Sequence, residues 1–189
     1  MATVRLTWLG HSAFRIHSAG GKTLLVDPWL RGNPACPDSE KQPAAVDALL
    51  ITHAHFDHIG DAVDIAKTAK PQSVVSIYEI SAWLERQGVE NCVGMNKGGT
   101  AEVLPGIKVT MVQAEHSCGL LDNGQIVYGG EPCGYIIELE NGQRIYHAGD
   151  TNVFGDMKII GELYRPDVAL LPIGGFYTMA PKYSISQLR

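Results

Sequence analysis

The sequence predicts an α+β fold in which two β-sheets pack face to face with helices outside. Three observations carry this expectation. Short alternating strands punctuated by glycine open each half of the chain. Each half then turns to apolar strands and helical patterns, without evident sequence repetition. The 189 residues, 45% hydrophobic and 19% charged, suit one domain spanning 1–189, whose two similar halves share a core.

Residues 4–9 alternate, 14–17 continue after the turn at Gly10-His11, and 22–26 form a third strand ended by Asp27-Pro28, which reads as a meander. Residues 31–43 carry Pro34, Pro37 and Pro43 and read as a loop. A short apolar strand occupies 48–52. Residues 61–70 have helical spacing at Val63, Ala66 and Lys67 and stop at Pro71. A strand over 73–78 and a helix over 79–87, closed by Gly88, complete a crossover unit. In the second half 107–113 alternate. Residues 134–146 read as a hairpin turned by Asn141-Gly142, a type I′ signal. Residues 154–164 look helical, with Met157, Ile160, Leu163 and Tyr164 on a core face. Pro166 ends that helix, and 167–172 form another apolar strand.

Residues 52–58 read THAHFDH, placing three of the seven histidines and an aspartate directly after an apolar strand. A solvated turn is the bland reading. A metal site is the sharper one, because ligand nitrogens and oxygens must be aimed from anchored backbone. In an extended chain His53, His55 and Asp57 share a side, and His58 diverges toward a neighbouring second metal. His116 and Asp150 also sit where strands end, which is where active-site loops gather.

These residues give the chain a resemblance to the metallo-β-lactamase superfamily, carried by His53-x-His55-x-Asp57-His58, His116 and the His147-to-Thr151 segment HAGDT. The segments WLGHSAF from Trp8, NKGG from Asn96 and LPIGG from Leu171 look like its small metal-dependent hydrolases, near the ascorbate-6-phosphate lactonase branch. The likeness runs from Val4 to about Pro181 and implies an αββα four-layer sandwich. By resemblance, His53, His55 and His116 hold one metal. Asp57 and His58 hold a second, and Asp150 bridges the two. Asp57 and Asp150 are the expected catalytic carboxylates. Two cations ~3.5–4 Å apart would share a hydroxide of lowered pKa. The donor set suits zinc or manganese first, then nickel or iron, as one or two ions. Histidine at position 55, where the flavodiiron branch has glutamate, argues against oxygen reduction. One departure stands out: the family's final histidine ligand has no counterpart, since no histidine follows His147 and the tail departs from a helix pattern. The family's last helix and strand are therefore expected to be missing or altered, and the second site to be weak, empty or completed by another chain.

Other residues have quieter readings. His11 is first a turn histidine and second a substrate or supporting residue. His17 is an exposed strand residue, and His147 supports the site rather than ligating. Asp27 either orients a histidine or ends a strand. Cys118 is a small loop residue before it is a soft ligand. Tyr78, Glu79 and Asn96 are candidate pocket residues, and Thr178 and Met179 are core before they are pocket lining.

Net charge −5 and pI near 5.8 give no global positive field for nucleic acid. There is no signal peptide pattern and no run near ~18 apolar residues, and four scattered cysteines suit a reducing cytoplasm. The expected function is a cytoplasmic metal-dependent hydrolase using a metal-bound hydroxide. Its substrates are phosphodiesters or phosphorylated small molecules first and lactones next. Competing readings are a metal-binding protein without turnover and a nuclease. No membrane partner is expected, and a homo-oligomer is left open.

Overall fold

The computed structural model describes residues 3–184. The tail, where the helix pattern was expected to fail, lies largely outside them. Six strands form the first sheet in chain order: β1 (Arg5–Trp8), β2 (Phe14–His17), β3 (Thr23–Val26), β4 (Ala48–Leu50), β5 (Ser73–Ile77) and β6 (Cys92–Met95). The first three pair antiparallel as the expected meander, and β3 through β6 run parallel. Parallel pairing demands crossovers. Two of them are made by α2 (Ala62–Ala69) and α3 (Tyr78–Arg86), after a single helical turn, α1 (Phe56–Ile59).

Local chemistry ends these helices where the sequence suggests. Lys70 turns left-handed at φ 49° after α2, and Gly88 does so at φ 79° after α3. The Val89 N–H donates to Leu84 O and Gly88 N–H to Glu85 O, satisfying the last carbonyls of α3.

The second sheet has the order β13-β12-β11-β8-β7, from β7 (Thr100–Leu104), β8 (Ile107–Gln113), β11 (Cys133–Glu138), β12 (Arg144–His147) and β13 (Val168–Leu170). Its alternation sorts side chains to two faces. Val109, Met111, Tyr135 and Ile137 join one core with Leu24, Leu49 and Val75 of the first sheet and with Ile65, Ile80 and Leu84 of α2 and α3. Val112, Ile136 and Tyr146 face the other way, against Met157 and Ile160 of α4 (Met157–Tyr164). Four layers result: helices, sheet, sheet, helix. Tyr135 joins the two sheets directly, its buried hydroxyl donating to Ile51 O at 2.7 Å.

Two expectations need correction. The Asn141-Gly142 turn is not type I′. Only Gly142 has positive φ, and Gly142 N–H closes back on Leu139 O across a three-residue loop. The type I′ turn is at Asn123-Gly124 (φ 48° and 79°), joining β9 (Gly119–Asp122) to β10 (Gln125–Tyr128) in a hairpin outside both large sheets. Leu163 is 66% exposed, because α4 packs along Met157, Ile160 and Tyr164, a stripe that leaves Leu163 to one side. A short helix, α5 (Pro181–Ser184), closes the described chain.

Candidate metal centre

Strand ends from both sheets converge on one edge of the sandwich. Asp27 follows β3 with a left-handed backbone (φ 49°) and a fully buried side chain. Its Oδ1 accepts the Thr52 N–H at 2.8 Å, which fastens the loop after β4 to the end of β3. That loop carries THAHFDH. The chain stays extended only as far as His55 (φ −65°, ψ 147°), whose carbonyl then accepts from His58 and Ile59 to start α1. Asp57 therefore leaves the side shared by His53 and His55 and travels with His58. The period-two spacing had put it with the first pair. On the second sheet, the loops after β8 and β12 are tied together. The Glu115 N–H donates to Thr151 Oγ1 at 2.9 Å, and Asn152 N–H donates to Glu115 O at 2.9 Å. This brings His116 beside Asp150.

Three overlapping groups of donor atoms result, each with all atoms within 4.8 Å of one another: His53, His55 and His116; His11, Asp57 and His58; His53, His58 and Asp150. All six residues predicted for the site are brought together, and His11 joins them. Asp150 lies between the groups, its Oδ2 3.4 Å from His58 Nε2 and 3.9 Å from His116 Nε2.

Hydrogen bonding sets which nitrogen each histidine offers. Thr52 Oγ1 donates to Asp27 Oδ2 at 2.7 Å, so it presents a lone pair to His53 Nδ1, 3.1 Å away. His53 thus carries its proton on Nδ1 and turns the Nε2 lone pair inward. His58 Nδ1 donates to the same Asp27 Oδ2 at 2.8 Å, so its Nε2 also faces the site. His55 Nδ1 lies 3.0 Å from His53 Nε2, while its Nε2 meets Ser117 Oγ at 3.2 Å. A cation in front of His53 Nε2 and His55 Nδ1 would leave the His55 proton on the Ser117 side.

Electrostatics suit cation binding. Desolvation lowers the pKa of His53 far below the ordinary imidazole value, and those of His55 and His116 less far, which keeps all three neutral with lone pairs free. Burial opposes the charge of His58, but the carboxylates of Asp27 and Asp150 prevail and push it up to about 10. Burial likewise works against Asp57, yet its hydrogen bond with His11 and the nearby His58 bring it down to about 2. In the metal-free chain a proton on His58 thus supplies the positive charge that the surrounding carboxylates call for. Neutral imidazoles, anionic carboxylates and second-layer hydrogen bonds together form a donor set that fits divalent cations.

The remaining candidates fall outside this cluster. His147 has both nitrogens engaged with backbone: Nε2 donates to Ser12 O at 3.1 Å, and Nδ1 accepts from Gly149 N at 3.2 Å. It supports the site by clamping the turn after β1 to the Asp150 loop. His17 on β2 is half-buried rather than exposed, and its Nδ1 pairs with Thr23 Oγ1 of β3. Cys118 donates to Gly129 O at 3.1 Å, and burial lifts its thiol to about 11. Thr178 lines the cavity rather than joining the core, Met179 is buried as expected, and Tyr78, Glu79 and Asn96 do not line the cavity. Sequence reading undervalued His11, and it left open the Asp27 role that the hydrogen bonds now define. A histidine in a glycine turn between two short strands was the available signal for the first.

The cavity over the cluster has a volume of about 1090 Å³. Trp8 and Phe56 flank it on one side, Leu121 and Ile126 of the β9–β10 hairpin on another, and Phe176 and Tyr177 on a third.

Comparison with known proteins follows the same lines. A model of the Beta-lactamase superfamily domain matches residues 22–186. A UPF0173 metal-dependent hydrolase of Koribacter versatilis is 58% identical over 179 residues, covering 95% of this chain and 76% of that protein. One from Methanopyrus kandleri is 50% identical over 181 residues, covering 95% and 76%. Igni18, a metallo hydrolase from the hyperthermophilic archaeon Ignicoccus hospitalis, is similar in structure with a TM-score of 0.79 at 38% identity, covering 97% of this chain and 76% of its own. The chain spans about three quarters of the length of these proteins.

Proposed function

The chain belongs to the UPF0173 metal-dependent hydrolases of the metallo-β-lactamase superfamily, and from that premise we propose that its clustered donors form one dinuclear centre hydrolysing lactones or other neutral esters with an apolar body. The observation that carries the dinuclear reading is Asp150, whose Oδ2 lies within 4 Å of Nε2 atoms from both histidine groups. Divalent cations held there would supply Lewis acidity, polarising the scissile carbonyl and acidifying water. The donors mix nitrogen and oxygen without sulfur, which favours zinc or manganese over softer ions.

The chain's own groups divide the remaining work. Asp57, brought down to about 2, is an anion at any neutral pH and so serves as a fixed charge rather than a proton carrier. Burial tends to raise Asp150, but the hydrogen bond from His58 holds its carboxyl below the usual range, and it too stays anionic. Asp27 and Thr52 keep the inward nitrogens of His53 and His58 unprotonated once a cation takes the place of the His58 proton.

Cavity lining selects the substrate class. Among the described residues, no lysine or arginine lines it. A phosphoryl oxygen not bound to a cation would face Trp8, Phe56, Leu121 or Ile126 without a charged partner, and an apolar acyl chain would be desolvated there at a gain. This reverses the order expected from sequence, putting lactones ahead of phosphorylated compounds. The same lining and the net charge of −5 count against nucleic acid. Four free cysteines support a reducing, cytoplasmic setting, and among the described residues no helix is long and apolar enough to cross a membrane.

The test compares manganese- or zinc-loaded protein on an aliphatic lactone and on bis(p-nitrophenyl) phosphate. The lactone should give the higher kcat/KM, and His116→Ala should lose at least ~100-fold of it together with tight cation binding. Preference for the phosphodiester would overturn the substrate class. Full activity in His116→Ala would overturn the centre, and cation binding without turnover on either compound would favour the non-catalytic reading.

A further inference from the structure

We propose that His11 is a metal ligand, a further protein donor of the cation site it forms with Asp57 and His58. This rests on the metal-centre reading above and extends it to a residue outside the expected ligand set. That residue sits in the turn between β1 and β2.

Geometry is the first support. His11 Nε2 lies 3.2 Å from Asp57 Oδ2 and 3.2 Å from His58 Nε2. Two imidazole nitrogens and a carboxylate oxygen converge on one point, and facing nitrogens at that separation need either a shared proton or a cation to offset their lone pairs. Asp150 is within reach of the same point through its 3.4 Å approach to His58 Nε2. Nitrogen and oxygen donors from three separate segments, with no sulfur, make a site for a borderline or hard divalent ion.

The second support is how firmly the turn is held. His11 has a left-handed backbone (φ 51°), a conformation unfavourable for a residue with a Cβ unless its surroundings enforce it. Here they do. Ala13 N–H closes on Gly10 O at 3.0 Å, and Trp8 Nε1 donates to His11 O at 2.8 Å. His147 Nε2 donates to Ser12 O at 3.1 Å, and the Trp29 ring meets the His11 ring edge-on at 5.6 Å. Gly10 itself has φ 97°, and a Cβ there would stand 2.8 Å from Ala35 Cβ. Such enforcement positions one side chain, and that side chain points at Asp57 and His58. A histidine meant only to touch substrate would not need its Nε2 committed to that pair.

The experiment counts cations. Chelator-stripped protein is titrated with Co²⁺, with binding followed by calorimetry and visible absorption. The wild type should take two ions per chain. His11→Asn should keep the first at unchanged affinity and bind the second at least ~10-fold more weakly. Asparagine tolerates the left-handed backbone, so this substitution removes the imidazole and spares the turn. His17→Asn, away from the site, should match the wild type. In parallel, ¹⁵N-histidine-labelled wild type is titrated with Zn²⁺, and the His11 Nε2 resonance should shift with the second equivalent. This readout stands even if the variant folds poorly. A second ion bound equally well by His11→Asn, or a His11 resonance unmoved through both equivalents, overturns the proposal while leaving the His53, His55 and His116 site intact. A wild type that takes no cation overturns the metal centre itself.

Discussion

Asp27→Asn should weaken divalent cation binding by roughly 10–100-fold, or about 1.4–2.8 kcal/mol, although Asp27 faces no cation directly. Its two carboxylate oxygens accept three hydrogen bonds: from Thr52 N, from Thr52 Oγ1 and from His58 Nδ1. Asparagine has the same shape and tolerates the left-handed φ of 49°, so the backbone should survive. Its NH₂ group must nevertheless occupy one of the two oxygen positions. Placed at the first, it opposes the buried Thr52 N–H, and two donors without an acceptor cost about 1–3 kcal/mol. Placed at the second, it obliges Thr52 Oγ1 to accept and to turn its own hydrogen toward His53, and obliges His58 Nδ1 to accept as well. Both histidines then carry their protons on Nε2, the nitrogen that faces the site, and neither can ligate without first losing that arrangement. Each route costs an amount comparable with the predicted loss. Calorimetric Mn²⁺ titration of stripped wild-type and variant protein measures it. Affinities within twofold of each other would refute the tautomer argument.

Three further outcomes follow from the same geometry. Tyr135→Phe should leave the buried Ile51 carbonyl without its 2.7 Å partner and cost about 1–3 kcal/mol in urea unfolding, whereas no change would mean that another donor replaces the hydroxyl. The metal-free protein should lose stability as pH rises from 7 to 10. The folded-state pKa of His58, about 10, lies above its ordinary 6.5, so its contribution is complete below about 6.5 and vanishes through 10. Asp57, at about 2 against an ordinary 3.8, contributes above 3.8 and loses that contribution only as pH falls through 2. Thermal melts across this range should therefore decline on the alkaline side, and a flat profile from 7 to 10 would contradict the buried ion pair. Finally, burial raises the thiols of Cys92 and Cys118 to about 11 and that of Cys133 further, so Ellman's reagent at pH 8 should react slowly with native protein and quickly with all four cysteines once unfolded.

Much of this architecture was legible in local patterns, because local forces decide it. Alternation marked β2 and β8, and glycine or proline after α2 and α3 marked their ends. The apolar run before THAHFDH signalled an anchored loop. What escaped notice depends on distance or on competition between local signals. His11 reaches Asp57 only because the meander folds its turn over α1, 47 residues away along the chain from His58. The Asp27 relay joins the ends of two parallel neighbours, a pairing that spacing within either segment does not reveal. The resemblance paired Asp57 with His58, whereas spacing alone grouped it with His53 and His55, because the period-two pattern gives no sign that a helical turn begins at Phe56. The two Asn-Gly pairs are identical as dipeptides. They differ in the register around them: Asp122 pairs with Gln125 directly across Asn123-Gly124, whereas Glu138 pairs with Arg144 across a longer connection that holds Asn141-Gly142.

The convergence of strand ends from both sheets also has a mechanical consequence. His53 and His55 belong to the first sheet's loops, and His116 and Asp150 to those of the second, with Ser117 and His55 separated by 62 residues. An ion gripping donors from both would act as a reversible cross-link, closing long loops in the way a disulfide does in oxidised proteins. A chain whose four cysteines stay free has no covalent staple, so cation occupancy would decide how tightly the two layers are riveted as well as whether the centre turns over.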